Sequence, residues 1–299
     1  MSAEPVRRKV TLNALRRKKA AGERITSIGV YDAPMAAIAD RVGFDLLVVG
    51  NAGPMSLLAH PDPTTVTFEE QLFLTRAVSR VARFGLVVGH LPFGSYHASP
   101  AQAVESAVRF VREGGANVVK CEGDRRIAPH VAAIVAAGVP VMGHVGMQAS
   151  RRVEQSGFGI KGRSAEEAAA ILDGARAFEE AGCFAFIAEQ IPTELAARLT
   201  AELSAPVVTL GGGRVNDGVY HISGDLVGYS AFPIPKNRGA YANVGAIIED
   251  ALTRYRDDCV AGAYPAAESD VHMPPEELAR FERLAGEKRA GNEPSDPAT

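Results

Sequence analysis

Short apolar runs recur along the chain, each separated from the next by a longer amphipathic stretch. Eight of these runs read as strands: residues 25–30, 46–49, 86–89, 117–121, 139–143, 184–188, 206–210 and 225–229. Several are continuous β-branched or aliphatic runs rather than alternating ones, the pattern of parallel strands covered on both faces. The stretches between them carry helical signals. Residues 67–83 place apolar side chains at three- and four-residue spacing, and Glu69 and Glu70 put negative charge in the first turn. Ser99 and Pro100 open a helix that Gly114 and Gly115 close, and Ser164 with Glu166 and Glu167 starts an alanine-rich one that stops before Gly182. Pro192 leads into a helix ending near Leu203. A last helix spans residues 244–260, with Ile247, Ile248, Leu252 and Tyr255 on one face.

Strand followed by helix, eight times over, predicts an α/β fold of the (β/α)8 type, a TIM barrel. An open doubly wound sheet is the other arrangement of such a pattern, but it gathers its site at one switch point. Here polar residues with useful chemistry stand at the ends of many strands: Asn51, His90, Lys120, Glu122, His144 and Glu189. The barrel domain is expected over residues 1–286. The polar, Pro- and Gly-containing tail 287–299 and the first five residues are expected to be disordered.

Composition narrows the classes. With 299 residues, 46% of them hydrophobic, the chain has material for one large core. A formal net charge of −3 gives no electrostatic reason to expect nucleic acid or a membrane surface as partner. The basic clusters Arg7-Arg8-Lys9 and Arg16 to Lys19 read as the solvated face of an N-terminal helix. Cys121, Cys183 and Cys259 are far apart and form no C-x-x-C pair, which suits reduced thiols. No apolar signal-peptide core opens the chain, and no run approaches the ~18 apolar residues of a membrane span. The expected setting is the cytoplasm.

The strongest chemical signal is V-V-K-C-E-G from Val118. Lys120 and Glu122 are two residues apart on a strand, so their side chains leave on the same side. A lysine there suits an oxoacid's carboxylate and a glutamate suits a cation; a buried ion pair is the plainer reading. Glu189 directly follows F-A-F-I-A and reads as a general base or as a cap for the helix after Pro192. His90 ends a strand before a proline turn, and His144 lies among glycines that allow backbone to approach a ligand. Asn51 offers an amide in a glycine-containing loop. The run T-L-G-G-G-R from Thr209 fits either a phosphate loop or an ordinary turn.

In order, the motifs are G-V-Y-D-A-P-M from Gly29, V-V-G-N from Val48, H-L-P-F from His90, V-V-K-C-E-G from Val118 and G-H-V-G-M from Gly143. G-I-K-G-R from Gly159, A-E-Q-I-P from Ala188, V-N-D-G from Val215, P-I-P-K from Pro233 and G-A-Y-P from Gly262 follow. Together, from Val10 to Pro265, they resemble the ketopantoate (3-methyl-2-oxobutanoate) hydroxymethyltransferase family, barrels related to phosphoenolpyruvate mutase and isocitrate lyase. The resemblance implies a 2-oxoacid substrate held on Mg²⁺, deprotonated to an enolate and added to formaldehyde from 5,10-methylenetetrahydrofolate. It implies Glu189 as the base, Lys120 as a substrate-binding lysine and Glu122 as a metal-ligating carboxylate, in a homo-oligomer.

The pattern also breaks. Where the family carries aspartate then serine, this chain has Asn51 and Ala52, and where the family carries a second metal-ligating aspartate it has His90. Two metal readings follow. His90 and Glu122, with Asn51 and His144 as further ligands, suit Zn²⁺, Mn²⁺ or Fe²⁺ better than Mg²⁺. Alternatively no metal is used, and Lys120 with Asn51 and His90 stabilises the enolate. On either reading Asn51, Ala52, His90, Lys120 and His144 contact substrate. The other functions open at this point are a lyase, decarboxylase or hydrolase on the same scaffold, and a non-catalytic binding or scaffold protein.

Overall fold

The computed structural model describes residues 7–230 and 239–290. Residues 1–5, the P-I-P-K motif and residues 291–299 therefore lie outside the described residues. The chain divides into two compact units, residues 1–244 and 245–299. The barrel is built wholly within the first.

Eight parallel strands close in sequence order, each paired with the next and β1 with β8. They are β1 (Ile25–Gly29), β2 (Leu46–Val49), β3 (Leu86–His90), β4 (Val118–Glu122), β5 (Val141–Gly146), β6 (Ala185–Glu189), β7 (Val207–Leu210) and β8 (Gly218–Ile222). Between them run α2 (Ala33–Val42), α3 (Ala52–Leu58), α4 (Phe68–Ser79), α5 (Pro100–Arg112), α6 (Ala128–Ala136), α7 (Ala165–Glu180) and α8 (Thr193–Glu202), preceded by α1 (Leu12–Ala21). The short α9 (Ser223–Val227) follows β8. Several helices start on side chains that satisfy their free N–H groups: Asp32 for α2, Ser99 for α5, Ser164 for α7, and a full Thr67/Glu70 capping box for α4.

Alternation along the strands sorts their side chains into a lumen and an outer layer. Leu46, Val48, Leu86, Val88, Val118, Met142, Ile187 and Val208 pack together in the lumen with Leu15 of α1. The alternate positions, such as Leu47, Val49 and Val87, pack outward on Ala36 and Ala39 of α2 and on Leu74 and Val78 of α4. A second outer cluster joins Val119, Cys121, Val141 and Phe186 to α5, α6, α7 and α8.

Helix α1 plugs the lumen through Leu15, and its basic residues do more than face solvent. Lys18 pairs with Asp45 at 2.7 Å and Lys19 with Asp217 at 2.8 Å, while Lys9 donates to the carbonyl of Gly85. Only part of the expected solvated face is so: Arg16 and Arg17 are exposed.

The eighth strand needs correction. It spans Gly218–Ile222, and the expected strand at residues 225–229 is α9 and the turn after it. Parallel strands ordinarily need a crossover of about a dozen residues, which pushes a sequence reading downstream. Here the seven residues from Gly211 to Asp217 join β7 to β8 with no helix. Gly211 and Gly213 adopt φ of 76°, and Asn216 donates to Thr209 Oγ1 and to the Gly213 carbonyl. T-L-G-G-G-R is thus a tight inter-strand turn.

In the second unit, α10 (Val244–Ala261) and α11 (Pro275–Ala290) are helical. Residues 287–290, at the start of the expected tail, continue α11. Among the described residues no helix is long and apolar enough to cross a membrane.

Candidate active site

The lumen ends at the C-terminal mouth in a polar layer. Val118, Lys120 and Glu122 share one face of β4, and the inward positions of β5 and β6 continue from Met142 to His144 and from Ile187 to Glu189. Lys120, Glu122, His144 and Glu189 line a cavity of about 400 Å³ together with Asn51 and Ala52 after β2, and with Met55, Met147, Leu210, Tyr220, Ile222 and Asp225.

His144 is the hub. Its Nδ1 lies 3.2 Å from Lys120 Nζ and 3.2 Å from Glu122 Oε2, and its Nε2 lies 3.2 Å from Glu189 Oε2. Burial lowers the His144 pKa and Lys120 lowers it further, but contacts with Glu122 and Glu189 outweigh both and raise it. Burial raises the Glu122 carboxyl, yet His144, His90 and Lys120 hold it well below the usual carboxylate range. Lys120 is pushed down by burial, against the pull of Glu122 and Glu189.

The ends of the strands are pinned by residues that carried no signal in the sequence. Tyr96 OH donates to the Glu122 carbonyl at 2.7 Å and accepts from the Glu122 N–H. The Ser150 N–H donates to Glu122 Oε1 at 3.0 Å, and Asn51 Nδ2 donates to Ser150 Oγ. Gly143 is needed for packing rather than for a ligand, because an added Cβ would meet the rings of Phe186 and Phe178 at 2.8 and 2.9 Å. Glu189 caps nothing: α8 has no side-chain cap.

Of the residues expected at the site, Asn51, Ala52, Lys120, Glu122, His144 and Glu189 meet in this cavity, and His90 does not line it. The register pairs His90 with Lys120, whereas Glu122 pairs with His144, so His90 lies one level deeper in the lumen. It is fully buried, with neither ring nitrogen hydrogen-bonded. Burial and the neighbouring Lys120 depress its pKa well below the ordinary value. Tyr220 and Asp225, by contrast, belong to the cavity and were hidden by the misplaced eighth strand.

The donor set does not fit Mg²⁺, which takes near-octahedral oxygen ligands. Among the described residues no three His, Cys, Asp or Glu side chains converge to hold a metal ion. Of the cavity's carboxylates, Glu122 accepts from the Ser150 N–H through Oε1 and Glu189 lies against His144 Nε2, while His144 Nδ1 lies against Lys120 Nζ. The expected His90–Glu122–His144 ligand set is not assembled either, since His90 sits below the other two.

The model of the ketopantoate hydroxymethyltransferase family matches residues 9–267. A 3-methyl-2-oxobutanoate hydroxymethyltransferase of Oleidesulfovibrio alaskensis is 39% identical over 282 residues, covering 94% of this chain and 97% of that protein. One from Chloroflexus aggregans is 41% identical over 272 residues, covering 91% and 96%. Among solved structures, a phosphonopyruvate hydrolase superposes with a TM-score of 0.57 at 14% identity, covering 93% of this chain and 97% of that one. An oxaloacetate acetylhydrolase with bound 3,3-difluorooxalacetate reaches 0.56 at 16%, covering 94% and 97%. These two likenesses are of fold. With the family model spanning the whole barrel and relatives matching it end to end, the chain belongs to the ketopantoate hydroxymethyltransferase family.

Proposed function

We propose that this chain forms a carbon–carbon bond by hydroxymethyl transfer to a small 2-oxoacid through an enolate. The observation that carries the reading is the placement of Glu189 at the end of β6, facing the cavity, 3.2 Å from a histidine that also contacts Lys120. An oxoacid lying on Lys120 directs its carboxylate and oxo group to the amine's N–H donors. Met55, Met147, Leu210 and Ile222 receive its side chain. Glu189 takes the proton from C3, and the electron pair moves into the C2–C3 bond with charge on the 2-oxo oxygen. C3 then attacks a carbon at the oxidation level of formaldehyde, and the new alkoxide recovers the proton from Glu189. 5,10-Methylenetetrahydrofolate, when bound, would supply that carbon as formaldehyde by hydrolysis, water giving the aldehyde oxygen and the two hydrogens with which tetrahydrofolate leaves. Because the donor set does not suit Mg²⁺, none of these steps passes through a metal.

We place the enzyme in the cytoplasm as a homo-oligomer. The free cysteines Cys121, Cys183 and Cys259 support the first, and family membership supports the second. Product analysis with a panel of 2-oxoacids tests the reaction, with and without formaldehyde or 5,10-methylenetetrahydrofolate. A hydroxymethylated 2-oxoacid that appears only with the one-carbon donor is expected. Products that form equally well without it replace this reading with a lyase, decarboxylase or hydrolase. Ala52, which has no hydroxyl where the family carries a serine, makes an oxoacid other than 3-methyl-2-oxobutanoate the first alternative substrate to include.

A further inference from the structure

We propose that proton abstraction at this site is independent of a divalent cation, the Lys120–His144 pair supplying the stabilisation that the enolate oxygen needs. The inference rests on the enolate reading above.

Three observations lead to it. First, the mouth carries the carboxylates of Glu122, Glu189 and Asp225 with the Asn51 amide and the His144 imidazole, but among the described residues no three His, Cys, Asp or Glu side chains converge to hold a metal ion. Without that convergence the mouth lacks the cluster of hard anionic oxygens that draws Mg²⁺ out of water. Second, among the described residues Lys120 is the one Lys or Arg lining the cavity, and its amine contacts His144 Nδ1 rather than being spent on a carboxylate. An ammonium has three N–H donors, so further donors remain for the oxoacid. A dication beside it would be repelled by the group best placed to hold substrate. Third, Asn51 Oδ1, Glu122 Oε2 and His144 Nε2 are buried at the mouth without hydrogen-bond partners. With Lys120 donating to its Nδ1, the His144 ring presents an N–H at Nε2. Ordered water, which both donates and accepts, meets that mixture of needs, whereas a cation meets only the acceptors.

The proton balance needs no further reagent. The C3–H bond breaks, the proton goes to the Glu189 carboxylate, and the charge on the 2-oxo oxygen is met by N–H groups of Lys120. His144, held between Glu122 and Glu189, fixes both the amine and the base in place. Preorganised donors of this kind act where the charge develops and have no reorganisation to undergo at the moment of reaction.

The experiment has two arms on chelator-stripped full-length protein. In one, exchange of the C3 proton of 3-methyl-2-oxobutanoate and of pyruvate is followed in D₂O, with EDTA and with millimolar Mg²⁺ or Mn²⁺. In the other, Mn²⁺ binding to wild type and to Glu122→Gln is read directly by electron paramagnetic resonance. The proposal expects exchange in EDTA within about twofold of that with metal, and no stoichiometric Mn²⁺ binding. Stimulation of exchange by about tenfold or more overturns it, as does one Mn²⁺ bound per chain and lost in Glu122→Gln. If exchange is absent in every condition and no Mn²⁺ binds, the enolate reading fails while the absence of a cation site stands.

Discussion

Gly146 shows how closely the base is held. It ends β5 with φ of 88°, and an added Cβ would run into the Glu189 carbonyl and approach Ile191 Cγ2 at 2.6 Å. Its partner across the ladder is Glu189 itself. Gly146→Ala is therefore expected to shift the base and lower the turnover number for C3 exchange by roughly ten- to a hundredfold, since small displacements of a catalytic group cost that much. Far-ultraviolet circular dichroism should remain that of the wild type; exchange at the wild-type rate would mean that Glu189 is not positioned through this contact. At this scale the sequence disclosed the inward-facing strand ends, because Lys120, Glu122, His144 and Glu189 each follow an apolar run whose period sets their direction. It did not disclose depth. His90 ends its strand in the same way, yet the stagger between β3 and β4 leaves it beside Lys120, below the cavity.

At the scale of elements, the residues that start helices behaved as local chemistry requires. Thr67 and Glu70 bond reciprocally at the start of α4, and Glu70 is held at a pKa of about 2, first by the backbone N–H of Thr67 and then by His60. Thr67→Ala is expected to destabilise the barrel by about 1 kcal/mol, read as a lower urea midpoint with an unchanged slope. An unchanged midpoint would show that α4 is held by its packing alone. Seven of the eight strands were legible because each is a buried run flanked by a helical pattern. The eighth was not, because the β7–β8 connection dispenses with a helix and β8 itself carries His221 and a half-exposed Val219. The error reached the site: with the strand placed too late, Tyr220 fell in a loop and Asp225 at a strand's beginning, far from the mouth they line.

For the molecule as a whole, closure of the barrel is what turns four separated motifs into one cavity. Strands β2, β4, β5 and β6 bring Asn51, Lys120, Glu122, His144 and Glu189 within reach of a single small oxoacid. The fold and the family were open to a reading of motifs in order. The fate of the metal-ligating positions was not, because it depends on which donors converge and which are already engaged, and strand register decides both. Ser150 illustrates the point: its N–H takes up Glu122 Oε1, and nothing in Q-A-S-R-R announces it. The central claim is that Glu189 removes a proton from C3 of a 2-oxoacid in this cavity. Deuterium uptake at C3 of 3-methyl-2-oxobutanoate, compared between wild type and Glu189→Gln by proton NMR, tests it most directly. The account predicts catalysed exchange by the wild type and a loss of at least about a hundredfold in the variant; exchange that survives Glu189→Gln undiminished would contradict it.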